Sequence, residues 1–515
     1  CTPRTHEALF QETCREAGLN KYLFDMVNIR DQCSWVHMHE LEQATEKAKD
    51  LLRMSVAKSR LLKPQREEQI TITPVALVIG GGIAGMTAAL TVADQGFQTY
   101  IVEKENILGG LLNKINLVFP VQEKADTILA DIRTKVENHK NIQVFLDAKI
   151  KEIKGYIGNY DISLELSGNE LQGLKVGTII VATGAQEFKP TGIFEYNDNN
   201  KNVITQLELE EKLKAEDQSW LESLNRITMI LCVNSRQKEG HGYTYCANIC
   251  CGDAIKNINL LKTLKPSLEI VVIYRDLQMA KKEFEQYYRE RRKDAMFIRY
   301  DLEQPPEITK TSENPEQYNI KVFEDNETIE MDTDLVVLST PLIPPSNLEE
   351  LAKMLKVPID KNGFFLEAHV KLRPLDFATD GIFLCGCAQW PKNVQDSISQ
   401  AKGAAGRAKR FLSVKTITTS GLVSTSNPKK CIGCGKCASL CPYSAIEIVE
   451  IKMDFEELSF IERKSNINRA LCKGCGTCAQ SCPVRAITVE HYDFDEISVM
   501  IESLLAKKFP LIKNK

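Results

Sequence analysis

One stretch, residues 74–110, constrains the fold of this chain more than any other. Five apolar residues, Val75 to Ile79, form a run suited to a buried parallel strand. Gly80, Gly82 and Gly85 then set out G-x-G-x-x-G, and Met86 to Ala93 continues as a helix of small residues. A second apolar run, Thr99 to Val102, ends on Glu103, about 20 residues after the glycines, as a dinucleotide fingerprint requires. Each part has a mechanical reason. Gly80 permits the tight turn, Gly82 lets the backbone approach a pyrophosphate, and Gly85 lets helix and strand pack closely. The helix N-terminus offers free N–H groups and a positive dipole end to phosphate. Glu103 is suited to accept hydrogen bonds from ribose hydroxyls. A glycine-rich turn without a ligand is the plainer alternative, but strand, helix and acidic residue all stand in place.

The residues that follow separate FAD from NAD. Lys104 to Gly110 ends in a Gly-Gly pair, which resembles the two-dinucleotide-domain flavoproteins that include thioredoxin reductase. Thr178 to Gln186, TIIVATGAQ, is similar to that family's strand-to-turn motif closing over the flavin domain, and Thr379 to Cys387, TDGIFLCGC, to its final flavin motif. There the family usually has Gly-Asp, the Asp lying on the flavin ribityl chain; here Gly386 is followed by Cys387. By this resemblance Lys104, Gly110, Ala182, Thr183, Gly184, Gly386 and Cys387 join Gly80, Gly82, Gly85 and Glu103 as flavin-site residues.

At 515 residues the chain has room for three or four domains. A net charge of −4 gives no sign of nucleic acid or of an anionic membrane as partner, and no apolar run is long enough to span a membrane. The chain opens at Cys1 without a signal-peptide pattern and is expected to start inside a domain. Seventeen cysteines in a chain of this size and spacing point to iron–sulfur ligation in a reducing cytoplasm rather than to disulfides.

Residues 1–72 read as the remnant of an N-terminal domain, with a helix from Thr5 to Ala17 and a long charged helix from Ser34 to near Leu62, before Pro64. Cys1 and Cys33 are open to two readings, ligands of a cluster or ordinary buried thiols, and spacing alone favours the second. Residues 73–195 form the first part of the flavin domain and 196–335 a second dinucleotide-type domain. Its strand Ile227 to Val233 runs into Asn234-Ser235-Arg236-Gln237-Lys238-Glu239-Gly240, where a nicotinamide domain would carry a second glycine fingerprint. Without those glycines the backbone cannot readily approach a pyrophosphate, so this domain is expected to lack nicotinamide. Cys246, Cys250 and Cys251 are read as opening a helix that runs through Ile258, with the first two on one face. Cluster ligands, a redox dithiol and packing all remain open for them. Asp334 to Ser339 is expected to return the chain to the flavin domain, which ends near residue 415. Within 336–415, Lys392 precedes a helix starting near Val394. By resemblance that helix points its N-terminus at the flavin ring, where its dipole stabilises negative charge on the reduced form, and Lys392 is a candidate contact.

Residues 420–492 carry an internal repeat. Cys431-x2-Cys434-x2-Cys437-x3-Cys441-Pro442 is followed by Cys472-x2-Cys475-x2-Cys478-x3-Cys482-Pro483, the pattern of bacterial two-cluster ferredoxins. In that pattern three close thiolates cap one face of a cubane and the fourth reaches the other cluster. Cys431, Cys434, Cys437 and Cys482 are thus expected to hold one 4Fe–4S cluster, and Cys472, Cys475, Cys478 and Cys441 the second. Zinc is the competing occupant, and it needs no such proline-closed repeat. Residues 493–515 read as a C-terminal tail. The expected fold class is α/β: a thioredoxin-reductase-like two-dinucleotide-domain flavoprotein with a two-cluster ferredoxin-like α+β domain.

TPRTHEALFQETCREAGLN, NIRDQCSWVH, the flavin fingerprint, CGCAQWPKNVQDS and the tandem cysteine motif occur together in the order of the heterodisulfide reductase A-subunit family, which this chain resembles over nearly its whole length. The resemblance implies a cytoplasmic complex of methanogenesis that also contains B and C subunits, with this chain as a homodimer inside it. A hydrogenase or formate dehydrogenase module would feed that complex. The resemblance further implies that FAD bifurcates electrons between ferredoxin and a disulfide such as that of coenzymes M and B. Disulfide reduction itself would belong to a partner protein of the complex. The ligand reading of Cys1 and Cys33 also gains from the resemblance, as part of a further 4Fe–4S cluster. Two departures stand out: no cysteine lies between Gly110 and Thr178, and Asn116 to Gln122 lacks the cysteine pair expected after the proline. A simpler relay, an NAD(P)H-dependent flavoprotein similar to the small subunit of glutamate synthase, and a non-catalytic scaffold are the alternatives.

Overall fold

A computed structural model describes residues 3–166, 169–197, 199–311, 317–324, 327–455 and 458–506. The chain divides into two compact units, Thr71–Lys415 and a second formed by Cys1–Ile70 together with Thr416–Lys515. The second unit begins with helices α1 (Pro3–Glu16) and α2 (Leu41–Ser59). The long helix expected from Ser34 starts later, because residues 30–34 close a π-turn and the chain breaks before Leu41.

Two five-stranded parallel sheets build the Thr71–Lys415 unit. The first contains β1 (Val75–Ile79), which leads into α3 (Ile83–Ala93), then β2 (Gln98–Val102), β3 (Ile142–Phe145) and β4 (Thr178–Val181). The second contains β5 (Val203–Thr205), β6 (Arg226–Ile230), β7 (Glu269–Tyr274), β8 (Met296–Arg299) and β9 (Leu335–Leu338), with α4 (Cys250–Leu264) following β6. The chain then re-enters the first sheet through β10 (Ile382–Leu384) and continues into α5 (Val394–Leu412). The first sheet runs β10-β4-β1-β2-β3 and the second β5-β9-β6-β7-β8. One boundary is corrected: Leu335–Leu338 does not return to the flavin domain but pairs with β5 and β6. An apolar four-residue run suits either buried sheet, and only pairing decides which.

Small residues explain how close the layers sit. Ala84, Ala88 and Ala89 of α3 meet Ala401, Ala404, Ala405 and Ala408 of α5 in one buried cluster over the first sheet. The opposite face is covered by the antiparallel strands Ala148–Tyr156 and Asn159–Leu166 and the helix Leu348–Leu355.

In the other unit, β11 (Ser424–Ser426), the hairpin β12 (Ile446–Phe455) and β13 (Leu458–Ile467), and β14 (Ile487–Val489) frame the cysteine runs, and β11 pairs antiparallel with β14. The expected C-terminal tail is in part a helix, α6 (Phe494–Leu505), opened by a reciprocal cap in which Asp493 and Glu496 hold each other's backbone N–H. Residues 507–515 of the expected tail lie outside the described residues. Among the described residues no helix is long and apolar enough to cross a membrane.

Candidate functional site

Register places the first site. Ile79 stands beside Val102 and Val181, and Val181 beside Leu384, so the residues after these strands, Gly80, Glu103, Ala182 and Cys385, crowd one C-terminal sheet edge. Ligands of open parallel sheets bind at such an edge. A cavity of about 610 Å³ opens there, bordered by Gly80, Gly82, Glu103, Lys104, Gly110, Ala182, Thr183 and Gly184, and also by Cys387, Lys392 and Asn393. Gly85 and Gly386 are not on its wall. Gly85 packs the helix onto the turn, where an added Cβ would fall 1.8 Å from the Gly80 carbonyl oxygen. Gly386 presents its backbone behind the wall, against Ala84.

The wall fits a dinucleotide. A Cβ on Gly82 would meet nothing within 4 Å, so the loop there is open to a close approach. Both α3 and α5 begin at the cavity, bringing two positive helix ends to it. The Thr183 hydroxyl oxygen is buried without a hydrogen-bond partner among the described residues, which a bound polar group would relieve. Glu103 is buried and already half-engaged: one carboxylate oxygen accepts from Gly81 N–H at 2.6 Å and the other from Glu105 N–H at 3.0 Å. It therefore shapes the glycine loop while keeping lone pairs for a ribose.

On the cavity wall, Lys392 Nζ donates to the carbonyls of Gly386 at 2.6 Å and Trp390 at 2.7 Å. Burial pulls its ammonium below the usual lysine range, and the neighbouring Cys387 and Cys385 work against that pull. The Cys387 thiol, set where the family usually has a carboxylate, is pushed up by burial and is held to the Lys392 carbonyl at 3.4 Å. With the thiol neutral, this part of the cavity presents the Lys392 amine and a helix N-terminus.

The eight repeat cysteines fall into two groups. Cys431, Cys434, Cys437 and Cys482 border one small cavity with Ile448 and Ile487, and Cys472, Cys475, Cys478 and Cys441 border another with Tyr443 and Ile446. Glycines at 435 and 476, at φ +77° and +82°, turn the chain into the short helices that carry Cys437 and Cys478. Backbone N–H groups point at the sulfurs: Ser465 to Cys431, Ser424 to Cys472, Ala445 to Cys441 and Ala486 to Cys482, at 3.2–3.4 Å. Among the described residues no three Cys, His, Asp or Glu side chains are placed to hold a single metal ion. Each group of four borders its own small cavity with thiol donors, a set that suits a cluster. Cys33 is buried in its π-turn and donates to the Ala44 carbonyl at 2.9 Å, as a packed thiol does. Cys1 lies outside the described residues.

In the second sheet the connection from β6 to α4 runs from Leu231 to Ile249. The helix starts at Cys250, so Cys246 precedes it in a loop and does not share a helix face with Cys250. Asn248 at φ +60° turns the chain between them. A fourth cysteine, Cys232, joins this group. The Cys250 thiol is raised well above its usual range by burial first, then by the adjacent Cys251, Cys232 and Cys246. Burial likewise pushes the Cys251 thiol up to about 12. Cys232 escaped a reading by spacing because it lies 14 residues upstream of Cys246; its place just past the C-terminal end of a parallel strand was the available signal.

Comparison with known proteins fits this geometry. The pyridine nucleotide-disulphide oxidoreductase family matches residues 75–234 and the 4Fe-4S dicluster domain matches residues 430–486. The A subunit of the H(2):CoB-CoM heterodisulfide,ferredoxin reductase of Methanothermobacter marburgensis is 35% identical, covering 98% of this chain and 87% of that protein. The alignment runs over 592 positions, more than the chain's 515 residues, so that relative carries segments without a counterpart here. The protein of the same description from Methanothermobacter thermautotrophicus is 34% identical over 87% of this chain and 81% of its own. The A 2 iron-sulfur subunit of the CoB--CoM heterodisulfide reductase of Methanopyrus kandleri is 35% identical over the same shares, 87% and 81%. Among solved structures, thioredoxin reductase of Lactococcus lactis aligns with 66% of this chain and 98% of its own at 17% identity and a TM-score of 0.46. With two sequence relatives at 35% identity along most of its length, this chain belongs to the heterodisulfide reductase A-subunit family of oxidoreductases.

Proposed function

We propose that this chain is the FAD- and iron–sulfur-dependent electron-transfer subunit of a cytoplasmic heterodisulfide reductase complex. Electrons from a hydrogenase or formate dehydrogenase module are divided between ferredoxin and a disulfide-reducing partner of the B and C type. One observation carries the reading: a single chain combines a cavity at a glycine fingerprint with two four-cysteine sites, while its second dinucleotide-type domain lacks the G-x-G-x-x-G spacing. FAD, when bound, supplies the exchange of an electron pair and its release as single electrons. The residues have separate tasks. The loop at Gly80–Gly82 and the N-terminus of α3 bind the pyrophosphate, and Glu103 orients the ribose. Lys392 and the N-terminus of α5 favour negative charge on the ring side of the cavity. The repeat cysteines hold two 4Fe–4S clusters in the sets given above. The names of the Methanothermobacter relatives support the hydrogen and ferredoxin links.

The test is anaerobic titration of the purified, flavin-loaded protein. Reduced ferredoxin is expected to bleach the flavin absorbance, and NADH and NADPH to leave it unchanged. Prompt bleaching by either nicotinamide would instead assign an NAD(P)H-dependent flavoprotein. Iron analysis separates the remaining possibility, since a colourless, iron-free protein would mark a scaffold.

A further inference from the structure

Charge is segregated within the cysteine-bearing domain. Residues 427–445 and 468–488, the two cysteine loops, carry Lys429, Lys430, Lys436, Arg469, Lys473 and Arg485 and not one Asp or Glu. By sequence, the acidic residues of the domain gather instead in the hairpin between those loops, residues 446–467, with six Asp and Glu against three Lys and Arg. Lys429, Lys430 and Lys436 are all exposed. In each cysteine loop one sulfur residue is exposed, Cys434 in the first and Cys475 in the second, while the other ligand candidates are buried or half-buried. In the same loop as Cys434 two large apolar side chains are also exposed, Ile432 at 63% and Leu440 at 45%. A basic face alone is usually just solvated. A basic loop that also exposes a candidate cluster ligand and two large apolar side chains has the make-up of a transient electron-transfer contact.

We propose that the face formed by Lys429, Lys430, Ile432, Cys434, Lys436 and Leu440 docks a small acidic electron carrier with a redox centre near its own surface. This inference rests on the electron-transfer reading above. Unlike charges steer the encounter and raise its rate, and the small apolar contribution allows fast release. One electron passes per encounter. In the complex the site held by Cys431, Cys434, Cys437 and Cys482 would lose it to the oxidised carrier; in the assay below the reduced carrier loses it and the same site gains it, and in neither direction does a bond form or break. A nucleic acid would also meet a basic face, but it would draw no benefit from an exposed cluster ligand.

The test uses the full, cofactor-loaded chain under anaerobic stopped flow, with flavin absorbance as readout. The donors are a reduced, acidic two-cluster ferredoxin of bacterial type and reduced methyl viologen. In the triple variant Lys429→Glu, Lys430→Glu, Lys436→Glu, the ferredoxin rate is expected to fall at least tenfold. Iron content and the viologen rate should stay at wild-type level. The Lys→Gln triple should fall in between, and the wild-type rate should drop as salt rises. Lys371→Glu, an exposed change in the flavin unit, should leave the ferredoxin rate alone. An unchanged ferredoxin rate in the Glu triple overturns the docking face and leaves the electron-transfer reading standing. Flavin that viologen reduces but ferredoxin does not, at any salt, overturns both. Tight binding of an oligonucleotide duplex with an unmoved ferredoxin rate assigns the face to another polyanion and overturns the proposal.

Discussion

The unit of residues 71–415 contains the same strand-to-helix element twice, with opposite outcomes. From β1 to α3 the chain crosses three residues, Gly80 to Gly82, and the turn opens onto a cavity. From β6 to α4 it takes nineteen residues; the first part of that turn folds on itself and only its end, at Asn248 and Ile249, reaches the cavity. Cys232, Asn234 and Arg236 hold positive φ values of 56–62° without a glycine among them, a conformation that must be maintained by its surroundings. Arg236 grips Asp276 with both ends of its guanidinium at 2.7 Å, and Arg275 donates to the Ser235 and Arg236 carbonyls at 2.6 and 2.9 Å. The helices differ as well. Residues 83–93 of α3 carry no charge, whereas α4 buries Lys256, 1% exposed, against Glu210 at 2.7 Å. A parallel sheet therefore supplies an edge, and the turn decides whether the edge becomes a phosphate site.

The largest effect should come from closing the first turn. Gly85→Ala would set a Cβ 1.8 Å from the Gly80 carbonyl oxygen, backbone against backbone. We expect a loss of more than about 4 kcal/mol or failure to accumulate folded protein, with flavin lost alongside. Gly82→Ala makes the contrast, because its Cβ meets nothing within 4 Å. It should retain the fold to within about 1 kcal/mol in urea melts yet reduce the flavin-to-protein ratio. If Gly82→Ala keeps its full flavin complement, the pyrophosphate does not sit where the loop is open, and the two turns differ less than they look.

A somewhat smaller effect should come from the second half. Lys256→Met leaves Glu210 buried without its cation and also removes the donor to the Leu117 carbonyl at 2.8 Å. The expected cost is about 3–5 kcal/mol, read as a lower urea midpoint. Lys256→Met combined with Glu210→Leu should recover part of it, because no charge is then stranded. Recovery would stop short of wild type, since Glu210 also accepts from Asn116 N–H at 2.9 Å. A single Lys256→Met variant as stable as wild type would show that water reaches the pair, and that α4 is not buried in the way α3 is.

How far the sequence carried the structure depended on how local the cause was. The turn at Gly80 and the grouping of eight cysteines were readable because each follows from spacing within a few dozen residues. The placement of β9 was not, since Leu335–Leu338 and Thr178–Val181 are equally apolar and only long-range pairing separates them. Cys246 was misplaced onto a helix because Asn248 adopts φ +60°, a local break no periodicity announces. The role of Phe494–Leu505 was missed although its signal was present: Asp493 three residues before Glu496, ahead of an apolar run, is a capping pattern. The Lys256–Glu210 pair joins residues 46 apart in sequence and could not be anticipated from either.

The smallest effect, about 1 kcal/mol, sharpens the comparison through pH. Asp253, on the first turn of α4, borders the same cavity as the glycines, and burial pushes its carboxyl up to about 6 against the pull of Lys256 at 3.6 Å. A raised carboxyl means that the folded chain binds more protons than the unfolded one between about pH 4 and 6. Stability should therefore fall as pH rises through that window, and the penalty is complete above pH 6. The whole shift would correspond to about 3 kcal/mol. The side chain is 33% exposed toward the open cavity, however, so solvent screening reduces the expected effect to about 1 kcal/mol. Asp253→Asn should remove it, gaining about that much at pH 7.5 and nothing at pH 4 in paired urea melts. Filling the cavity excludes water from the carboxyl, so flavin-loaded protein should show the larger gain. Residues 83–93 have no ionisable side chain and can contribute no such slope. A variant pH profile parallel to wild type would mean that Asp253 titrates as it does in water. The second half would then meet the cavity with a solvated wall rather than a buried one.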